Sequence, residues 1–394
     1  MKEVGEFSAA EYFRAATQAG IWPKSALIEH AAIARGFATT RLSSMEVLIQ
    51  LPGNAAAPIY FQQMNGPRSI GGRLYCDEKA IARNLLGRAG LNVVTSQAFD
   101  PSKLSEGLRY AESIGYPVVV KPTNLARGIG VTANIQTPQA LISAWRHARA
   151  ANSGWLDKGA TVARSLRDAS GPRSARGLPA RAAAYRDVIR QVCSTAWQRR
   201  WRPVLVESHF DGNDFRAFVV DDNVVSVTQR KAANVVGDGV ATVRELIERK
   251  NAIRAKNLCV RNCAIPTRLE SLDLLAGAGL TMSHVPASGE IVVLRSASNL
   301  SAGGDNIDVT EEAHPGFIDV AIRAVRAIPG MPYAGVDLIT PDITAPPTAT
   351  NHIVSEIEYS PCPTVAHFPL IGTPRDMAGA VLQYYLEHGA GPTG

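Results

Sequence analysis

Three acidic side chains late in the sequence have the types and the spacing of a metal-binding site. Glu356 and Glu358 alternate in "NHIVSEIEY", so on a strand their carboxylates point to the same face, and Asp337 lies within "YAGVDLIT". Two carboxylates held this close repel each other unless a cation lies between them. Because Mg²⁺ prefers hard oxygen ligands and usually binds one or two carboxylates plus substrate phosphates, these acids indicate a magnesium site.

Basic side chains and a loop with glycines supply groups that bind phosphate. Lys121 ends the strand-like run "YPVVVK", the loop after it contains Gly128 and Gly130, and Arg295 ends "EIVVLR". Lysine binds phosphate as a point charge, and glycine-rich loops bring backbone N–H groups close to it. Together with the acids, these residues predict a nucleotide–Mg²⁺ site. Taken one at a time, a strand-end lysine also fits a solvated strand edge, and the glycines also fit simple turns.

The segments that carry these residues alternate between strand and helix patterns. The sequence "CDEKAIARNLLGRAG", with Asp77 as N-cap, predicts a helix over 76–90. Two β-branched runs around 221–223 predict an antiparallel hairpin, and "VRELIERKN" and "RDMAGAVLQYYLEH" predict helices. Strands and helices mixed in this way predict an α/β or α+β architecture.

The composition is that of a globular protein with reduced thiols. A length of 394 residues predicts two or three domains, and no segment approaches the roughly 18 apolar residues that span a bilayer. The N-terminus lacks the apolar region of a secretory signal, and five cysteines spread along the chain do not describe a disulfide framework. We therefore expect a cytoplasmic protein with no membrane partner.

An arginine-rich segment accounts for the basic balance of the chain. The net charge is +6, and residues 164–202 carry many arginines against only Asp168 and Asp187. Such a segment is either an electrostatic footprint for nucleic acid or a solvated insertion. Because it contains no known nucleic-acid motif, we favour the insertion and do not expect a nucleic-acid partner.

The order of these features resembles the ATP-grasp superfamily, most closely the ATP-grasp part of cyanophycin synthetase and of bifunctional glutathione synthetases. The resemblance covers roughly residues 61–375 and rests on "VLVESHFDGNDFRAFVV", "VVGDGVATVRELIERKN", "VVLRSASNLSAGGDNIDVT" and "EIEYSPCP". It implies an N-terminal pre-grasp domain at 1–75 and two α+β halves that clamp ATP. The halves are then a lid at 76–209, with the arginine-rich insertion at about 151–202, and a C-terminal part at 210–394.

The resemblance also assigns roles to individual residues. It implies that ATP is bound by Lys79, Lys121, Arg127, Gly128, Gly130, by the adenine hinge Glu207, Ser208, His209 and Phe210, and by Asp214 at the ribose. It implies that Arg216, Arg295 and Lys121 act on the transferred phosphoryl group, and that Asp337, Glu356 and Glu358 hold Mg²⁺, with Mn²⁺ as a substitute. It places the acceptor loop at Asn299, Ser301, Gly303 and Gly304.

The chain departs from the family pattern at two positions. Glu358 stands where the family usually has Asn at the third metal ligand, and Cys362 stands where a Pro-Gly turn usually ends. The first adds a negative charge to the metal site. The second costs backbone freedom if the turn requires a positive φ.

The implied activity is that of an ATP-dependent, ADP-forming carboxylate–amine ligase acting through an acyl phosphate on an amino acid or peptide. A homo-oligomer, such as a dimer, is expected. The alternative is a degenerate ATP-grasp module that binds nucleotide and a partner without turnover. Nothing in the sequence identifies the acid or the amine.

Overall fold

The computed structural model describes residues 8–51, 58–76, 79–123, 129–153, 203–296 and 298–389. Asp77, Arg127, Gly128 and the whole arginine-rich segment 164–202 lie outside the described residues. The chain divides into two compact units, one formed by Val94–His209 and the other by Met1–Val93 together with Phe210–Gly394. The three-domain division predicted from the sequence stays a prediction.

Helices and strands alternate along both units. Within the described residues the helices are α1 (Ala9–Gln18), α2 (Pro23–Ile33), α3 (Ile70–Cys76), α4 (Lys79–Arg88), α5 (Leu104–Ile114), α6 (Pro138–Ser153), α7 (Val243–Arg254), α8 (Asp273–Gly277), α9 (Pro315–Arg326), α10 (Thr364–His367) and α11 (Met377–His388). The strands are β1 (Thr39–Arg41), β2 (Glu46–Ile49), β3 (Ile59–Gln62), β4 (Ser96–Phe99), β5 (Val118–Pro122), β6 (Thr132–Ile135), β7 (Val204–Ser208), β8 (Asn213–Val220), β9 (Asn223–Lys231), β10 (Asn234–Val236), β11 (Ile291–Val293), β12 (Asp305–Asp308), β13 (Tyr333–Thr340) and β14 (Ile353–Glu358).

A five-stranded antiparallel sheet forms the centre of the larger unit, with strand order β12-β9-β8-β13-β14. Side chains alternate between its two faces. One face carries Val336, Leu338 and Ile357 and is covered by α4 and α9 in one apolar core. On the other face, Phe218 and Tyr333 join a second apolar core with α1, α2 and α11. The strand ends beyond that second core are left for polar side chains.

Two smaller sheets complete the larger unit. Strands β1, β2 and β3 form an antiparallel sheet near the N-terminus, where Ser8 and Glu11 form a reciprocal capping box that starts α1. Strands β10 and β11, which are far apart in sequence, form an antiparallel pair packed against α7 and α8. Helix α7, which "VRELIERKN" predicts, also begins with a capping box, formed by Thr242 and Glu245.

The smaller unit contains a four-stranded antiparallel sheet of order β4-β7-β5-β6. Helices α5 and α6 cover one of its faces, and Trp145 fills the space between them and the sheet. A Cβ at Gly107 would lie 2.4 Å from the Trp145 ring, so only glycine allows this packing of α5 on α6.

The predicted elements agree with the structure. The mixed α/β architecture is confirmed, and the helix predicted over 76–90 is α4, Lys79–Arg88. The hairpin predicted around 221–223 joins β8 and β9, with Asp221 at a φ of 54° in its turn. In the described ranges, none of the helices has the length and apolar character that crossing a membrane requires.

Candidate active site

The polar end of the central sheet brings one acid and two arginines together on a single face. Asp337 on β13 lies opposite Arg216 on β8, and Arg230 comes from β9, the next strand. Arg216 donates from Nε to Asp337 Oδ1 at 2.6 Å and from Nη2 to Oδ2 at 2.8 Å. Arg230 Nη2 donates to the same Oδ2 at 2.8 Å. Asp337 therefore accepts three charge-assisted hydrogen bonds from two guanidinium groups.

The electrostatics of this cluster keep Asp337 ionised. Burial by itself would raise the pKa of Asp337, but Arg216 and then Arg230 outweigh it, so the pKa lies below the ordinary value for Asp. Burial alone would likewise lower the pKa of Arg216, yet Asp337, with Glu358 and Glu356 behind it, raises that pKa. The cluster is thus an arrangement of full charges in which the arginines keep the buried Asp337 ionised.

The two glutamates predicted as metal ligands lie on the same face of the neighbouring strand. Glu356 is the cross-strand partner of Asp337, and Glu358 is the partner of Gly335. Lys79, the first residue of α4, donates from Nζ to Glu356 Oε1 at 2.8 Å. Glu358 Oε1 accepts the backbone N–H of Ser360 at 3.1 Å. A predicted phosphate lysine and all three predicted metal ligands therefore lie within one unit, on or beside two adjacent strands.

The donor types at this place suit a divalent cation, although their present contacts are with protein groups. Among the described residues, no group of three or more His, Cys, Asp or Glu side chains is arranged to hold a metal ion. Asp337 is bound by arginines and Glu356 by Lys79. Carboxylate oxygens on one sheet face are nevertheless the ligands that Mg²⁺ takes. The chemistry of the residues fits the ion, and the assignment of these three acids stays a prediction.

The predicted acceptor loop is joined to this face at its start. Ser298 Oγ donates to Asp214 Oδ2 at 2.7 Å, and Asp214 Oδ1 accepts Nε of Arg230 at 3.1 Å. Asn299 then occupies the N-cap position of a short 3-10 helix, Leu300–Ala302, which contains the predicted residue Ser301. Asp214, predicted at the ribose, is thus placed between the loop and the arginine that reaches Asp337.

The end of the same loop is pressed against the protein backbone. Gly303 has a φ of 94°, which favours glycine, and a Cβ on Gly304 would lie 2.7 Å from the Lys231 carbonyl oxygen. Arg254, only 1% exposed, donates to the carbonyl oxygen of Gly304 at 2.9 Å and to Asp305 Oδ1 at 3.0 Å. Both ends of the loop are therefore tied to buried or partly buried charges.

Arg295 contacts this loop and not the acids. Its Nη1 donates to the carbonyl oxygen of Ala302 at 3.3 Å, and its Nε lies 4.0 Å from Asp273 Oδ1. No hydrogen bond or ion pair within the described part of the chain joins Arg295 to Asp337 or the two glutamates. The structure thus brings Arg216 to the predicted metal ligands and places Arg295 with the predicted acceptor loop.

The smaller unit holds the other predicted nucleotide-binding residues. Lys121 on β5 and Glu207 on β7 form an ion pair with a Nζ–Oε1 distance of 2.7 Å, and both side chains are largely buried. The backbone N–H groups of Ser208 and His209 donate to the carbonyl oxygens of Thr95 and Pro117, at 2.9 Å and 3.0 Å. The side chain of Glu207 therefore meets a predicted phosphate lysine, in addition to the adenine role predicted for its main chain.

Two residues at the edges of these regions complete the predicted set. Gly130 has a φ of 74°, and a Cβ there would lie 2.6 Å from Ala151 Cβ and 2.9 Å from Pro122 Cγ, so the end of the predicted phosphate loop requires glycine. Phe210 is half-buried and is the first residue of the larger unit's second segment.

Sequence reasoning missed three residues in this region. Arg230 and Ser298 complete the contacts of Asp337 and Asp214, and Lys24 on α2 donates to the carbonyl and hydroxyl oxygens of Ser360, the latter at 3.0 Å. Alternation along β9 groups Arg230 with Ser226 and Thr228 on one side of the strand, but the face of the sheet on which they lie depends on the register. Nothing local marks Lys24, which is 336 positions away from its partner.

The turn after β14 does not require a left-handed backbone at Cys362. Among the described non-glycine residues, positive φ occurs at Gln63, Asn134 and Asp221. The side chain of Cys362 lies 3.1 Å, sulfur to oxygen, from Thr364 Oγ1. Replacing the usual glycine by Cys362 therefore carries no backbone strain here.

The chain is similar to known proteins in both sequence and fold. The family model described as "Carbamoyl-phosphate synthase L chain, ATP binding domain" matches residues 78–169. Cyanophycin synthetase from Trichormus variabilis is 32% identical over 318 residues, which cover 79% of this chain and 29% of that protein. The glutathione biosynthesis bifunctional protein GshAB from Mannheimia succiniciproducens is 37% identical over 193 residues, 47% of this chain and 25% of that protein.

A solved structure gives the same answer for the fold. The bifunctional glutathione synthetase from Pasteurella multocida is 25% identical and superimposes with a TM-score of 0.62, covering 92% of this chain and 44% of that one. These findings confirm the resemblance predicted from the sequence: the chain is an ATP-grasp protein. It is a homologue of cyanophycin synthetases and bifunctional glutathione synthetases, and it spans less than a third of the length of the two curated relatives described here.

Proposed function

We propose that this protein is an ATP-dependent, ADP-forming ligase that joins a carboxylate to an amine, with an amino acid or a peptide as substrate. The charged sheet face carries the proposal, because Asp337, Glu356 and Glu358 lie there on adjacent strands beside Arg216 and Lys79. Positive and negative groups held in place are what phosphoryl transfer requires from a protein, since positioning and charge stabilisation dominate its catalysis. The names of the relatives, two kinds of synthetase, support the reaction class.

The proposed reaction has two steps whose atoms balance. A carboxylate oxygen of the first substrate attacks the γ-phosphorus of ATP, ADP leaves, and an acyl phosphate forms. The neutral amine of the second substrate then attacks the acyl carbon, inorganic phosphate leaves and takes up the proton that the nitrogen loses, and an amide bond remains. The phosphate that leaves carries one oxygen from the original carboxylate.

The residues have separate tasks in this proposal. Asp337, Glu356 and Glu358 would hold Mg²⁺, with Mn²⁺ as a substitute, and the ion would neutralise charge on the phosphate oxygens. Arg216 and Lys79 stand beside these acids and stabilise the negative charge that develops on the transferred group.

The other predicted residues keep the tasks that the resemblance gives them. Lys121 and the loop that ends at Gly130 are proposed to bind phosphates, and the segment 207–210 is proposed to contact adenine. Arg295 and the loop from Asn299 to Gly304 are proposed to face the acyl phosphate and the amine. No residue serves as a nucleophile, and no general base is assigned.

An isotope experiment tests the reaction class directly. Amino acids and short peptides labelled with ¹⁸O in the carboxylate are screened pairwise with amines, with ATP and MgCl₂ present, and ADP and phosphate are measured. The proposal predicts ADP formation that depends on both substrates, and one ¹⁸O atom in the released phosphate. ADP formation without label in the phosphate would exclude the acyl phosphate, and the absence of ADP for every pair would favour a nucleotide-binding module without turnover.

A matched pair of variants connects the activity to the sheet face. Glu356→Gln removes one charge from the face and is expected to abolish ADP formation, whereas Glu387→Gln, on the exposed surface of α11, is expected to leave it unchanged. Wild-type activity in the Glu356→Gln variant would contradict the assignment of this face. The dimeric state and the cytoplasmic location stay predictions.

A further inference from the structure

Asp214 is held in a way that the ribose role predicted for it does not explain. Both of its carboxylate oxygens are occupied by protein donors: Oδ2 accepts the hydroxyl of Ser298 at 2.7 Å, and Oδ1 accepts Nε and Nη2 of Arg230. Three-quarters of the Asp214 side chain is buried. One acceptor position on Oδ2 remains beside these three bonds, and a ribose hydroxyl that took it would meet a carboxylate that charge-assisted contacts within the protein already hold in place.

The donors of Asp214 connect two parts of the unit that the sequence separates. Ser298 begins the loop that continues through Asn299 to Gly304, and Arg230 uses the same Nη2 group to reach Asp337 Oδ2 at 2.8 Å. The path from the loop to Asp337 therefore consists of three direct polar contacts. Ser298 donates to Asp214, and Arg230 donates both to Asp214 and to Asp337.

We propose that Ser298, Asp214 and Arg230 form a bridge that positions the loop 298–304 against the Asp337 face, and that Asp214 is a positioning residue and not a ribose ligand. The proposal rests on the proposed function only where it names 298–304 as the loop for the acceptor. The bridge itself is an arrangement within one compact unit, and its presence is measured without catalysis.

The two ends of the loop are held by different contacts, and the bridge holds the start. Gly304 is closely packed, because a Cβ there would lie only 2.6 Å and 2.7 Å from the carbonyl oxygens of Ser298 and Lys231. Arg254 also donates to the Gly304 carbonyl oxygen at 2.9 Å. At the other end, the hydroxyl of Ser298 joins the start of the loop to Asp214 on the sheet at 2.7 Å. Loss of one hydroxyl should therefore loosen the start of the loop and leave its end in place.

Hydrogen exchange on the full-length protein measures this loosening. Ser298→Ala removes the hydroxyl, Ser298→Thr keeps it, and Ser283→Ala removes an exposed hydroxyl that lies beside Thr281. We expect about tenfold or faster amide exchange over 299–304 in Ser298→Ala, because a hydrogen bond to a charged group shifts a local equilibrium by at least that factor. Exchange close to wild type is expected in Ser298→Thr and in Ser283→Ala.

Nucleotide binding separates the bridge from the ribose role. The dissociation constants of ATP and 2′-deoxy-ATP are measured by calorimetry for the wild type, for Asp214→Asn and for Asp319→Asn, an exposed acid on α9. The bridge predicts the same ratio of the two constants in all three proteins, together with faster exchange over 299–304 in Asp214→Asn. A ratio that falls toward one only in Asp214→Asn would establish the ribose role and overturn the proposal.

Kinetics then test what the bridge does for the reaction. With a substrate pair found in the labelled-carboxylate screen, Ser298→Ala should raise the KM of the acid or the amine by about tenfold, change the KM of ATP less than twofold, and be rescued by Ser298→Thr. Unchanged exchange in Ser298→Ala would refute the bridge even in an active ligase. Faster exchange in a protein without ligase activity would leave the bridge standing and remove the proposed function.

Discussion

The sharpest consequence of the charged face concerns Asp337, because within the described part of the chain it is the carboxylate that both Arg216 and Arg230 contact. Asp337→Asn keeps the shape of the side chain and removes its charge. Arg230 still has Asp214 as a partner, whereas Arg216 keeps the more distant attraction of Glu358 and Glu356. The substitution thus takes the direct counter-ion away from one guanidinium group in a partly buried place.

The burial of the three side chains sets the size of the effect. Side-chain exposure is 9% for Asp337, 21% for Arg216 and 17% for Arg230. Removing one partner of a buried ion pair costs about 3–5 kcal/mol, and the partial exposure of the arginines places the expected cost near the lower value, about 3 kcal/mol. A second substitution, Arg216→Met, removes the cation that was left over. The double variant is therefore expected to be more stable than Asp337→Asn by at least about 1 kcal/mol.

Hydrogen exchange of β8 and β13 is the appropriate assay, because two compact units need not unfold together and a single unfolding midpoint would mix them. A loss of about 3 kcal/mol corresponds to exchange roughly 150-fold faster in these strands. Asp319→Asn, a control at a side chain 66% exposed, should change exchange less than about threefold. Exchange within twofold of wild type in Asp337→Asn, or a double variant no more stable than the single one, would refute the reasoning about the unpaired cation.

Two further predictions concern single positions. Gly130→Ala should destabilise the smaller unit by about 1–3 kcal/mol more than Gly115→Ala. Both glycines have positive φ, but only at Gly130 do atoms lie within 3 Å of the new Cβ. Denaturant unfolding of each variant checks this, and equal losses of stability would contradict it. Burial lowers the pKa of His367 to about 4 from 6.5, so the unfolded chain binds a proton at a higher pH than the folded chain does. The free energy of unfolding should therefore fall by up to about 3 kcal/mol as the pH drops from about 6.5 to 4. That loss should be absent in His367→Gln and present in His147→Gln, an exposed control on α6, when unfolding is followed across this pH range; a pH dependence unchanged by His367→Gln would show that another group is responsible.

The sequence predicted most elements of the central sheet but not the register of its strands. Val220 and Asn223 pair across a two-residue turn. If the pairing continued from there without interruption, Gln229 would lie opposite Asp214 and Arg230 would point to the apolar face. The structure inserts one extra residue, Val225, at an irregularity between Phe218 and Val219, and Arg230 becomes the partner of Asp214. A shift of one residue exchanges the two faces of a strand, and no feature of the local sequence marks this one.

A register shift also decides on which face of the sheet the predicted metal ligands lie. Leu338 pairs with Val354 and Asp337 pairs with Glu356, so Ser355 is an extra residue on β14. Without it, Ser355 would oppose Asp337, and Glu356 would fall on the apolar face with Val336. The E-x-E spacing therefore predicted correctly that the two glutamates share a face. Which face they share depends on a bulge that only the packed sheet specifies.

Elements set by local signals were easier to predict than the partners of buried charges. The helix predicted by "VRELIERKN" and the hairpin turn at Asp221 depend on neighbours in sequence, and both lie where the sequence predicts them. Arg230, by contrast, is 107 positions from Asp337. A sequence motif identifies the acids that a metal requires, but it carries no information about the arginines that contact Asp337.

Physical chemistry supplies the missing reason, because a carboxylate as buried as Asp337 stays ionised only with cations in contact. A sequence that predicts a buried acid on a central strand therefore also predicts arginines or lysines at cross-strand positions of the neighbouring strands. Arg216 satisfies this condition directly opposite Asp337, and Arg230 satisfies it one strand further on. Applied to β8, the rule selects Arg216 directly, and it selects Arg230 on β9 once the register shift between Phe218 and Val219 is allowed for. The charge balance of the face, more than the acidic motif alone, is what the sequence of these strands encodes.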